Sequence, residues 1–166
     1  MSTLYIIATP IGNIEDISLR ALRIFNEIEH LACEDTRITR KLFAKYEIPL
    51  PQEMFSYHEH NEQQAGYKIL SLLNNNIDVA LCSDCGCPLI SDPGYRIVSE
   101  ALENNYTIEV IPGPCAIETA LMSSGMPTSS FTFLGFAPPK SGKRKNFFVK
   151  ELNSPHTLIF YESPYR

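Results

Sequence analysis

Residues 77–94 read IDVALCSDCGCPLISDPG, and the parsing of this stretch decides the fold. The apolar run at 77–82 has the pattern of a strand buried on both faces. It empties into a loop with two Asp-containing turns, two prolines and two glycines, and a helical pattern starts near Tyr95. Gly and Pro fix the backbone there while amides and carboxylates point outward, which is how a small-molecule site is built. The same residues also suit a plain β–α connection whose Asp and Pro form turns and cap the next helix.

Working outward, the same alternation recurs along the chain. Residues 4–8 form a short apolar run that ends in a turn at 9–13, and from Ser18 the positions Leu19, Leu22, Ile24, Phe25 and Ile28 approximate a helical face capped by Asp16 or Ser18. Residues 30–33 read as a strand stopping at 34–37. The following helix turns Ile38, Leu42 and Phe43 inward and keeps Arg37, Arg40, Lys41 and Lys45 wet. Residues 54–57, 77–82 and 106–111 supply further strands, with helices at 65–73, around Ile97, Val98, Ala101 and Leu102, and through Ile117, Leu121 and Met122. Strands alternating with helices call for an α/β fold with a parallel sheet covered on both faces. The odd chemistry, at 9–13, 34–37, 58–61, 83–94 and 112–116, always directly follows a strand. In a parallel sheet these segments gather on one carboxyl-end edge, where ligands bind in open α/β sheets.

The texture changes at 123–130, a run of small, turn-forming residues that reads as a linker between an N-terminal domain, 1–122, and the start of a second α/β domain, 131–166. Beyond it lie a strand at 131–136, a basic loop holding Lys140, Lys143, Arg144 and Lys145, and a strand at 156–161. A domain seldom ends on a fresh strand and turn, so the second domain is expected to be unfinished.

Composition limits the function classes. The 166 residues carry 44% apolar and 20% charged side chains and a net charge of −5, as in an ordinary globular chain. The acidic balance argues against a protein that coats nucleic acid through its whole surface, while leaving room for a local basic patch. No signal peptide or membrane span is legible, so a cytoplasmic location is expected. Five cysteines, an odd number, are read as reduced thiols.

Six strings, taken together, resemble the ribosomal RNA small-subunit methyltransferase I family within the tetrapyrrole methylase superfamily. They are Thr9-Pro10-Ile11-Gly12-Asn13, Cys33-Glu34-Asp35-Thr36-Arg37, Tyr57-His58-Glu59-His60-Asn61-Glu62, the loop at 83–94, Pro112-Gly113-Pro114 and Phe160-Tyr161-Glu162-Ser163-Pro164. Their order and spacing cover the whole chain. The resemblance implies a two-domain α/β protein, usually a homodimer, with S-adenosylmethionine as cofactor. It also implies methyl transfer to the ribose 2'-hydroxyl of a cytidine in small-subunit (16S) ribosomal RNA, naked or within the 30S subunit.

Carried over by position, the cofactor meets Cys82, Ser83, Asp84, Cys85, Gly86 and Cys87, with Asp84 central, and also Pro10, Cys115 and Ala116. A carboxylate such as Asp84 suits a ribose hydroxyl or the cationic cofactor, and backbone amides bared by Gly86 and Gly113 suit its carboxylate; as an alternative, Asp84 is a cap or turn residue. Methyl transfer needs in-line approach and a group that accepts the hydroxyl proton. Candidates are Glu34, Asp35, His58, Glu59 and His60, although Glu34 and Asp35 also suit a helix cap and the histidines a polar loop. Lys140, Lys143, Arg144 and Lys145 suit RNA phosphates, with Arg37 and Arg40 extending the patch, or else form a solvated charge run.

The chain departs from the family where Cys85 and Cys87 stand in place of the expected Ala and Thr. With Cys82 they spell C-x2-C-x-C and raise a metal or redox reading. The trio lacks a fourth nearby ligand, and Cys is also a small apolar replacement, so no metal is expected. Family members continue for roughly another hundred residues, an ordinary domain increment. Two rival readings share the fold: a tetrapyrrole (precorrin-type) methyltransferase, and a truncated, non-catalytic cofactor-binding or dimerisation module.

Overall fold

The computed structural model describes residues 2–163; Met1, Tyr165, Arg166 and Pro164, the last residue of the string at 160–164, lie outside the described residues. The chain divides into two compact units, Met1–Cys115 and Ala116–Arg166.

In the first unit, strands β1 (Thr3–Ile7), β2 (His30–Cys33), β3 (Glu53–Ser56), β4 (Val79–Cys82) and β5 (Thr107–Ile111) form one sheet in the order β3-β2-β4-β1-β5. Every pairing is parallel. Helices α1 (Leu19–Glu27), α2 (Thr36–Lys45), α3 (Glu62–Asn74) and α4 (Tyr95–Glu103) make the crossovers. Strand residues alternate between faces. Ile7, Leu31, Cys33, Ala80, Cys82 and Ile111 pack with Ile24 and Phe25 of α1 and Phe43 of α2. Leu4, Ile6, Ala32, Val79 and Leu81 pack with Ala65, Ile69 and Leu73 of α3 and with Ile97 and Ala101 of α4. Both faces are therefore apolar, which is why these strands read as continuous hydrophobic runs. Phe25 and Phe43 anchor one face with rings 5.1 Å apart at 56°.

The strand order explains where a site can form. From β1 to β2 to β3 the chain steps one way and lays α1 and α2 on one face; from β3 to β4 to β5 it steps back and lays α3 and α4 on the other. A single crossover hand demands that change of face. Because β4 lies between β2 and β1, the loop that follows it leaves for the face opposite to the one taken by the loops after both neighbours. The opening at the carboxyl end of β4 is the switch-point crevice of an open α/β sheet, so the five-loop edge anticipated from sequence is present.

Local chemistry fixes the helix starts. Ser18 Oγ accepts from Ala21 N at 3.0 Å and caps α1, and Asp35 Oδ1 accepts from Arg37 N at 2.8 Å and caps α2. β4 starts at Val79 rather than at 77, since Asn76 holds a left-handed φ of 59° and the Asp78 carboxylate is turned to accept from Thr3 N at 2.7 Å. Several apolar positions expected inward point out: Leu19 is 85% exposed, ahead of the Ala21-Ile24-Phe25-Ile28 stripe, and Leu102 and Met122 are exposed as well. Ile38 is 43% exposed because it walls a cleft described below.

The second unit holds α5 (Ala116–Ser123), β6 (Phe131–Phe136), α6 (Ser141–Lys150) and β7 (Thr157–Tyr161), with β6 and β7 paired in parallel. The basic segment expected as a loop is a helix: Lys140 is the N-cap of α6, and Lys143, Arg144 and Lys145 lie in its first turns. Pro138 and Pro139 precede it rather than interrupt it, and Phe148 gives it an apolar contact, its ring 4.9 Å from that of Phe160.

Gly94, with φ of 134°, is the tightest point of the loop that enters α4; a Cβ there would stand 3.0 Å from Leu89 Cδ1 and 3.2 Å from Leu81 Cδ2. Gly94→Ala is expected to cost about 1–3 kcal/mol. Urea denaturation measures it, and an unchanged midpoint would refute the packing described here.

Candidate functional site

The carboxyl end of β4 is closed by backbone pairing with the loop that follows β1. Thr9 N donates to Gly86 O at 2.9 Å and Gly86 N returns the bond to Thr9 O at 3.1 Å, an isolated antiparallel bridge in an otherwise parallel unit. Thr9 Oγ1 donates to Ser83 O at 3.1 Å, and Ser83 Oγ donates to Gly86 O at 3.2 Å. Gly86 has φ of 84°, and a Cβ on it would come within 3.2 Å of Ile11 Cγ2. Gly113, after β5, approaches as closely: its Cβ would lie 3.0 Å from that of Ala8. Beside this bridge is a cleft of about 220 Å³ lined by Thr9, Pro10, Gly12, Ile38, Leu42 and Asp84. A larger hollow of about 310 Å³ lies at the opposite, amino-end edge of the sheet, lined by Tyr5, Ile28 and Asp78 among others, away from all the strand-terminal loops.

Asp84 lines the cleft, and the other carboxylates of the loops after β2 and β4 gather around it. Asp84 Oδ1 accepts from Asp35 N at 2.9 Å, and Asp84 N donates to Glu34 Oε2 at 3.4 Å, so the loops after β2 and β4 hold each other reciprocally. Burial, followed by the charges of Glu34 and Asp35, pushes the Asp84 carboxyl above its ordinary value. Asp92 goes further, to about 6, through burial first and then through Glu34 and Asp84, partly offset by a hydrogen bond with Ser83. Asp35 behaves oppositely. Arg37 grips it through Nε at 3.0 Å and Nη2 at 2.5 Å and holds its carboxyl at about 2.

The residues singled out from sequence separate into groups. Pro10, Ser83 and Asp84 line the cleft, Gly86 forms the bridge, and Glu34 and Asp35 clasp Asp84. Cys82 lies buried beneath, in register with Cys33 on β2; burial pushes the Cys82 thiol well up and Cys33 to about 11. Cys85 is exposed, with burial of its sulfur and the charges of Asp92 and Asp84 raising its thiol, while Cys87 Sγ donates to Pro114 O at 3.4 Å. The three thiols of the C-x2-C-x-C string thus face three ways, and among the described residues no group of three or more His, Cys, Asp and Glu is arranged to hold a metal ion. Cys115 ends the first unit and Ala116 begins α5.

His58, Glu59 and His60 stand on the neighbouring loop after β3. Asn61 braces that loop, its Oδ1 accepting from His58 N at 2.8 Å and its Nδ2 donating to Ser56 O at 2.9 Å. His58 Nδ1 is buried with no hydrogen-bond partner among the described residues, and its ring lies 5.9 Å from that of exposed His60. Glu62 Oε1 accepts from Tyr57 Oη at 3.1 Å and from Gly94 N at 3.2 Å, joining this loop to the central one. Arg37 and Arg40 are exposed on α2. Lys140, Lys143, Arg144 and Lys145 belong to the second unit, where Arg144 Nη1 donates to Pro139 O at 3.0 Å. Asp92 was missed in the sequence reading; it looks like one more turn residue, and the only signal was its place in the same loop as Asp84.

Residues 3–166 match the family model described as Tetrapyrrole (Corrin/Porphyrin) Methylases. A Mesorhizobium japonicum protein named "Ribosomal RNA small subunit methyltransferase I" is 47% identical over 163 residues, 98% of this chain and 55% of the relative. A Hydrogenobaculum protein of the same name is 47% identical over 165 residues, 98% of this chain and 70% of the relative. The chain thus spans about half the length of many of the curated relatives it matches. A solved structure of diphthine synthase superposes on 98% of the chain and 66% of its own, with a TM-score of 0.71 at 14% identity, a likeness of fold alone.

The raised Asp92 carboxyl has a consequence for stability. Its folded value of about 6 lies above the ordinary 3.8, so the folded chain binds the extra proton and stability falls as pH rises from about 4 to about 6. Asp92→Asn removes the cost. The variant is expected to melt above the parent at pH 7.5, with the gain shrinking toward pH 4; a gain of equal size at both pH values would contradict the assignment.

Proposed function

Because the chain belongs to the tetrapyrrole (corrin/porphyrin) methylase family, and within it to the ribosomal RNA small subunit methyltransferase I group, we propose that it serves S-adenosylmethionine-dependent methylation of the ribose 2'-hydroxyl of a cytidine in small-subunit ribosomal RNA. The observation that carries this reading is the convergence of Glu34 and Asp92 on Asp84, which lines the cleft beside the Thr9–Gly86 bridge.

The residues present fit the cofactor. Asp84 and Asp92 are held above their ordinary range by burial and by neighbouring carboxylates, so a cation beside them is favoured. Gly86 and Gly113 let Ile11 and Ala8 pack directly on bare backbone, which keeps the loops that frame the cleft close together. When bound, the cofactor supplies a methyl group on a positively charged sulfur. Asp84, already oriented by Asp35 N, accepts from a ribose hydroxyl. Pro10, Ile38 and Leu42 keep water from one wall. Asp92, set near about 6, is matched to take up a proton at neutral pH, with Glu34 beside it. Asp35 is withdrawn from that role by Arg37. His58, Glu59 and His60, on the loop that Glu62 joins to the central one, remain further candidates.

Lys140, Lys143 and Lys145, exposed at the start of α6, supply phosphate contacts on the second unit, and Arg37 and Arg40, exposed on α2, supply others on the first. Homodimerisation, a cytoplasmic location and the division into 1–122, 123–130 and 131–166 belong to the same proposal.

Calorimetric titration of S-adenosylmethionine into this chain is the test. Saturable one-site binding is expected, weakened at least about tenfold in Asp84→Asn, followed by methyl transfer to small ribosomal subunits. Parent and variant binding alike would sink the cofactor placement, and binding without transfer would favour a non-catalytic cofactor-binding module.

A further inference from the structure

We infer that the face of α3 carrying Gln63, Gln64 and Tyr67, together with His60 before it, docks the bases of single-stranded RNA next to the methylated nucleotide; this rests on the methyl-transfer reading above. Two open hollows adjoin on this face. One, of about 310 Å³, is lined by His60, Asn61, Gln63, Gln64 and Tyr67. The other, of about 350 Å³, shares Asn61 and Gln64 with it and continues past Ser56 to Lys68. Both volumes are within the range of ordinary small-molecule sites, about 300–1,000 Å³.

The chemistry of the lining selects the ligand. Tyr67 is 60% exposed, a phenol ring presented on a helix rather than on a mobile loop. The Gln63 and Gln64 amides are exposed, each offering both a donor and an acceptor. Aromatic rings stack bases and amides read base edges. Phosphate is disfavoured here. The bordering cations are already engaged: Lys68 pairs with Glu53 at 2.5 Å and lies 4.3 Å over the Phe55 ring, and Arg96 pairs with Glu100 at 2.7 Å. Glu59 and Glu62 add negative charge beside the face. A strand approaching here is received by its bases, with its phosphates turned away to water or to basic side chains elsewhere.

Placement links the face to the cleft. Glu62, in the first turn of α3, donates no proton but accepts from Gly94 N of the central loop. Ala65, Ile69 and Leu73 of α3 pack with Ile97 and Ala101 of α4, so the helix bearing Tyr67 is anchored in the core of the unit. Gln63, Gln64 and Tyr67 therefore adjoin the site without contributing to it, and His60 stands between the two.

The experiment is fluorescence anisotropy of a labelled, cytidine-containing single-stranded RNA dodecamer with the full chain, its Tyr67→Ala, Tyr67→Phe and Gln64→Ala variants, each also titrated with S-adenosylmethionine. Expected is a loss of about five- to a hundredfold in RNA affinity for Tyr67→Ala, retention in Tyr67→Phe, a smaller loss in Gln64→Ala, and unchanged cofactor affinity throughout. Parent-like RNA binding by Tyr67→Ala overturns this inference and leaves the methyl-transfer reading standing. A parent chain that binds cofactor but not RNA overturns both the RNA substrate and this face. Weakened capture of small ribosomal subunits by Tyr67→Ala with unchanged dodecamer binding assigns the face to a protein surface, and the inference fails.

Discussion

The two backbone hydrogen bonds between Thr9 and Gly86 close the gap that the crossovers open beside β4. A parallel sheet has to send its connections to both faces, and the strand at which they part is left with unpaired backbone at its carboxyl end. The bridge satisfies that backbone and sets the height of everything above it: Ser83 and Asp84 on one side, Pro10 and Gly12 on the other. It depends on Gly86 holding a left-handed conformation with Ile11 immediately over it. The site is thus assembled from main-chain geometry first, and its side chains are aimed by that geometry.

On this frame the chain places like charges together. Glu34, Asp84 and Asp92 repel one another and are partly shielded from water, an arrangement that opposes folding on its own account. The compensation comes from neighbours. Main-chain amides of Asp35 and Asp84 bind the carboxylates of Asp84 and Glu34, and Ser83 partly offsets the rise at Asp92. Arg37 pairs with Asp35 directly and offsets Asp84 only in part, so burial and the neighbouring carboxylates still hold Asp84 and Asp92 above their ordinary values. Such a concentration of unbalanced charge is characteristic of sites rather than of cores.

The fold was largely legible because both faces of the sheet are covered. Residues 4–8 and 77–82 are nearly continuous apolar strings, and the turn chemistry after each strand marked the correct edge. What escaped depended on partners remote in sequence. Asp92 looks like a turn residue until Glu34 is brought beside it from another loop. The three cysteines at 82, 85 and 87 suggest a cluster by spacing, yet a strand end, an exposed turn and a contact with Pro114 send them apart. The basic stretch from Lys140 was hidden by its Ser-Gly start and charge, since its apolar contact through Phe148 is tertiary. Ile38 was expected inside and instead forms a cleft wall, an apolar residue exposed for its position.

One oxygen atom, Oε1 of Glu62, accepts from both Tyr57 Oη and Gly94 N. It belongs to α3, while its donors belong to the end of β3 and to the start of α4. A displacement of α3 withdraws the acceptor from both donors together, and a rearrangement of the central loop is felt by α3 through the same atom. Coupling through such a joint is reciprocal: whatever tightens the central loop through this atom steadies α3, and whatever steadies α3 tightens the loop by the same factor.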